Sequence, residues 1–108
     1  MPTINPQAMA VTGTSPTFSA PTASDVLAPT DRGVYIVRTT GTATTVVLVI
    51  PGNDVFGQAK PDVSSTLGAT DVRAFPMTAY TQAVDSNFQI TITHSGALTG
   101  VTSAYVTI

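Results

Sequence analysis

The sequence predicts an all-β fold: a single small antiparallel β-sandwich or barrel of about six to eight strands, with an extended N-terminal arm. Three observations predict it. Thr44–Ile50 is the most apolar run, rich in β-branched residues, and is bounded by Gly41 and by Pro51-Gly52. Phe88–His94 alternates apolar and polar residues cleanly. Turn residues punctuate the chain every few positions, and no stretch carries a helical period. The length of 108 residues suits one domain.

Residues 1–24 form the arm. Pro2, Pro6, Pro16 and Pro21 stand there among Thr, Ser and Ala. Proline removes backbone donors and blocks helix, so only Thr17–Ala20 and, just beyond the arm, Asp25–Ala28 read as pairing stretches. Residues 25–108 are the β-domain. Thr30-Asp31-Arg32-Gly33 is turn chemistry. Val34–Thr39 follows as a strand, with Val34, Ile36 and Arg38 on one face and Tyr35 and Val37 on the other. Thr40–Ala43 reads as a hairpin loop returning into Thr44–Ile50, a strand apolar on both faces and therefore expected to be covered on both. Pro51–Asp62 is an irregular loop with Phe56 as its large anchor. Val63–Leu67 and Val72–Phe75 are short strands around the Gly68–Asp71 turn. Met77–Asn87 is a second loop, carrying Tyr80. Phe88, Ile90 and Ile92 are then expected to point inward, and Val101–Ile108 closes the domain.

Composition narrows the function. Charged residues make up 9% of the chain and Glu is absent. A Thr- and Ser-rich surface with few charges costs little to desolvate, which favours contact with neighbours. One Lys and three Arg lie scattered, without the clustering that displaces phosphate counterions, so nucleic acid is not an expected partner. Cysteine is absent, which leaves no disulfide framework and no thiolate metal site. No stretch has the length and apolarity of a secretory signal or a membrane span, so no membrane partner is expected.

No catalytic constellation emerges. His94, the single histidine, shares a face with Phe88, Ile90 and Ile92, and its expected role is structural or at the surface. Asp25, Asp31, Asp54, Asp62, Asp71 and Asp85 all fall in or beside turns, and none lies in an alternating calcium-loop pattern. Gly52–Gly57 has two glycines but no Lys-Ser/Thr after it, so it is not a phosphate cradle. Arg38 and Arg73 sit mid-strand, where each guanidinium calls for a carboxylate, within this chain or on a partner. The chain is not expected to be an enzyme, and no cofactor or metal is expected.

From Asp31-Arg32-Gly33-Val34-Tyr35-Ile36-Val37 through Thr44–Ile50, the layout resembles the small all-β structural proteins that tailed bacteriophages encode near their major capsid protein. Arg73-Ala74-Phe75-Pro76 with Tyr80, then Phe88–His94 and Val101–Ile108, continue the similarity across residues 25–108. The resemblance implies a capsid decoration (cement) protein on the virion surface, assembled in the host cytoplasm. Its implied partners are the major capsid protein and copies of itself, as a trimer. The implied contact residues are Pro2, Ile4, Pro6, Met9, Val11 and Phe18 on the arm, with Phe56 and Tyr80 on the loops. The alternatives are a head–tail connector or tail-tube protein, and a host-surface or carbohydrate-binding β-module. The absence of Trp speaks against the last.

Overall fold

The computed structural model describes residues 2–53, 55–81 and 84–108. Among them the strands are β1 (Thr3–Ile4), β2 (Gln7–Ala8), β3 (Ser24–Leu27), β4 (Gly33–Thr39), β5 (Thr44–Val49), β6 (Val63–Leu67), β7 (Val72–Pro76), β8 (Ile90–Ser95) and β9 (Val101–Thr107), with a 3-10 turn over Met77–Tyr80. They form two sheets, one ordered β1-β3-β8-β5-β6 and the other β2-β9-β4-β7. The body strands pair antiparallel; β1 on β3 and β2 on β9 are parallel. The fold is therefore a small β-sandwich, and the mixed character of its sheets comes from the arm.

The core lies between the layers. Leu27, Val46, Leu48, Leu67, Ile90 and Ile92 come from the first sheet, and Tyr35, Val37, Phe75, Val101 and Tyr105 from the second. Period-two alternation explains the selection, because each strand presents every other side chain to the facing layer. Gly33 leaves room for the Tyr105 ring of the neighbouring strand in its own sheet, since a Cβ there would stand 2.6 Å from it.

Three expectations need correction. Residues 34–50 are not a hairpin: β4 and β5 belong to different sheets, and Thr40–Ala43 arches between them. A second correction concerns β5, which is not covered on both faces. Its burial alternates, with Val46 and Leu48 fully buried and Val47 and Val49 half-buried on the outer face. A two-layer sandwich leaves one face of every strand outside. Finally, Phe88 does not point inward; it is 75% exposed with φ 60°. The preceding turn extends further than expected, because Asp85 Oδ1 accepts from the Asn87 and Gln89 amides and the Phe88 amide donates to Asp85 O. Strand β8 begins only at Ile90.

Candidate assembly surface

Strand direction sorts the connections into two ends. One end carries 40–43, 68–71 and 96–100, which are short, built of small and polar residues apart from Leu98, and tied together. The Thr40 amide donates to Gly100 O at 2.8 Å and the Gly41 amide to Ala69 O at 2.6 Å. Gly100 is required here: its φ is 79°, and a Cβ would fall 2.2 Å from Thr40 O.

The opposite end carries 28–32, the 50–62 loop, the 77–89 loop, the arm's turn after β2 and the end of β9. It gathers the exposed large apolar side chains: Val11, Val55 (93%), Phe56 (85%), Phe88 (75%) and Ile108 (80%), with Val63 at the start of β6 (39%). Among the described residues only Val72, at 60%, lies toward the other end. The 50–62 loop holds its tip out through an antiparallel bridge between Asn53 and Ala59 and a Lys60-to-Gly52 backbone bond. Asp62 Oδ1 fastens its base by accepting from the Ile50 amide at 2.9 Å. Exposed apolar patches mark interaction sites, and these side chains share one end of the sandwich.

The arm lies along its own sandwich. Val26 N donates to Pro2 O, and Met9 N to Thr107 O, each at 2.9 Å. The Gln7 side chain clasps Thr17, accepting from its amide and donating to its carbonyl at 2.8 Å each. The Phe18 ring lies 4.4 Å from the Arg38 guanidinium carbon, a stack that uses the ring's negative face. Between arm and body is a cavity of about 220 Å³, bordered by Pro2, Ile4, Asp25, Ser103 and Tyr105.

Beside it the core carries buried polar groups. Asp25 is held by Thr22, whose amide (3.2 Å) and hydroxyl (2.5 Å) both donate to its carboxylate. His94 Nε2 faces the Tyr35 hydroxyl at 3.2 Å, and His94 Nδ1 has no hydrogen-bond partner among the described residues. Burial lowers the His94 pKa, and the Asp25 charge partly opposes this. Burial also pushes Tyr35 up to about 12; a Ser103 hydrogen bond works against the rise and Asp25 adds to it. Both groups are neutral at pH 7. Among the described residues no three His, Cys, Asp or Glu side chains gather as a metal-binding set.

The residues expected to make contacts divide clearly. Val11 and Phe56 are exposed at the apolar end, whereas Ile4 and Tyr80 pack against the core. Pro2 and Pro6 are exposed on the docked arm, Met9 is half-buried at its turn, and Phe18 is half-buried over Arg38. Of the mid-strand arginines, Arg73 meets Asp71 at 3.4 Å. Val55, Phe88 and Ile108 join the apolar end without having been singled out. Val55 is legible as the neighbour of Phe56, but Phe88 reads as strand from its alternation. Asp54 lies outside the described residues. A search of protein-family models, curated proteins and solved structures finds no significant match to this chain.

Proposed function

We propose that this chain is a bacteriophage virion structural protein, a decoration protein that binds the outer face of the major capsid lattice and stabilises it. The observation that carries the reading is the asymmetry of the sandwich: one end presents Val55, Phe56, Phe88 and Val11 to solvent, and the other is closed by small polar turns. A protein with 9% charged residues desolvates such an end at low cost. Many modest contacts, repeated across a lattice, then sum through effective concentration rather than through one tight site. The N-terminal arm supplies a second contact element in this reading, held on its own body by short ladders that a neighbouring capsid subunit can compete for.

The test is the number of copies per major capsid subunit in purified particles. A ratio of order one supports lattice-wide decoration. A few copies at a single vertex would move the protein to a head–tail connector, and absence from particles would overturn both virion readings.

A further inference from the structure

The two sheets have four edges, and three of them are guarded. Strands β1 and β2 are each two residues long and lie between or beside Pro2 and Pro6. Strand β7 carries Arg73 and ends in Pro76. Short length, charge and proline are the devices by which natural edges avoid pairing with other chains. Strand β6, Val63-Ser64-Ser65-Thr66-Leu67, carries neither a charge nor a proline within it, and Pro61-Asp62 stands only before its start. It is five residues long, uncharged and free of proline, and among the described residues it pairs only with β5.

From this we infer that β6 is a self-association edge, whose occupant is β6 of a second copy, paired antiparallel about a two-fold axis through Ser65. The inference does not depend on the capsid reading. Self-complementarity carries it. In that register Val63 lies opposite the partner's Leu67 on the inward side. Ser64 lies opposite the partner's Thr66 on the outward side, and Ser65 meets its own copy. Apolar therefore faces apolar, hydroxyl faces hydroxyl, and no residue of the strand itself is charged, the arrangement that favours cross-strand pairs. Val63, 39% exposed in the monomer, gains cover. The charges beside the strand are both engaged within the chain: Arg73 donates to Ser65 Oγ at 2.6 Å and meets Asp71 at 3.4 Å, and Asp62 accepts from the Ile50 amide at 2.9 Å. Pairing joins the two five-stranded sheets into one continuous sheet across the dimer.

Sedimentation equilibrium of the full chain over a wide concentration range tests this. The expected result is a concentration-dependent dimer. Ser64→Lys/Thr66→Lys sets like charges opposite each other twice across the axis and weakens the dimer roughly tenfold. Ser64→Lys/Thr66→Glu sets opposite charges there and restores it. Both positions are exposed on the outer face, where Thr66 gives up a 3.3 Å hydroxyl contact with Thr45, so far-UV circular dichroism should match the parent and melting should fall by no more than a few degrees, equally in both variants. A strictly monomeric parent at the highest concentration would overturn the inference, as would a dimer indifferent to the double lysine change or one that the charge-swapped pair fails to restore.

Discussion

At the scale of single residues, His94 is the most consequential side chain in the core. It is 6% exposed, one ring nitrogen is spent on Tyr35, and the other finds no partner among the described residues. Its folded pKa lies below its ordinary value because burial penalises the charged ring. Below about pH 6.5 the unfolded chain therefore takes up a proton that the folded chain refuses. The histidine's contribution to stability is present above that pH and is lost as the pH falls toward the folded pKa. Melting temperature should decline between pH 7 and pH 5, and His94→Gln should flatten this decline while lowering stability at neutral pH. A parallel decline in the variant would assign the acid sensitivity to the carboxylates instead. The sequence made the inward face legible through Ile90 and Ile92, and with it the burial of His94. The Tyr35 contact was not legible, because the two residues are 59 positions apart on different sheets.

At the scale of elements, strands were easier to read than their partners. The bounds of β6 follow from its flanking turns, and β4, β5, β7 and β9 lie within a residue or so of where pattern and punctuation place them. Pairing is a different matter, because a four-residue connection serves a hairpin or an arch equally well. Thr40–Ala43 is an arch because Thr40 and Gly41 are tied to turns from other connections. The arm shows the same limit: its prolines mark extended chain, but nothing local indicates that β1 and β2 dock on opposite sheets. Docking has an energetic consequence, since half-buried Ile4 packs against the core. Deleting residues 2–20, which spares the Thr22 clasp on Asp25, should leave the sandwich folded. It should cost about 2 kcal/mol, a fall of roughly 10 °C in melting temperature. Dispersed amide resonances with a lowered midpoint are expected. Collapse of the spectrum would make the arm an integral part of the fold rather than an accessory to it.

At the scale of the whole molecule, the two ends of the sandwich separate stability from contact. The buried residues that hold the layers together, from Leu27 to Tyr105, lie between the sheets. By contrast, Val55, Phe56 and Phe88 are largely solvent-exposed. Replacing exposed side chains away from core and caps shifts stability by only about 0.5 kcal/mol. Removing aromatic anchors from a contact surface costs about 1–2 kcal/mol each or more when they are buried on binding. The triple change Val55→Ser/Phe56→Ser/Phe88→Ser should therefore separate the two properties. Its melting temperature should stay within a few degrees of the parent's, while particle binding, measured by co-sedimentation with capsids stripped of this protein, weakens by roughly 100-fold or more. Under the same assay Val72→Ser, toward the closed end, should bind as the parent does. If the triple variant binds normally and the arm deletion does not, the arm alone carries the contact. If both bind normally, the capsid reading loses the surface on which it rests.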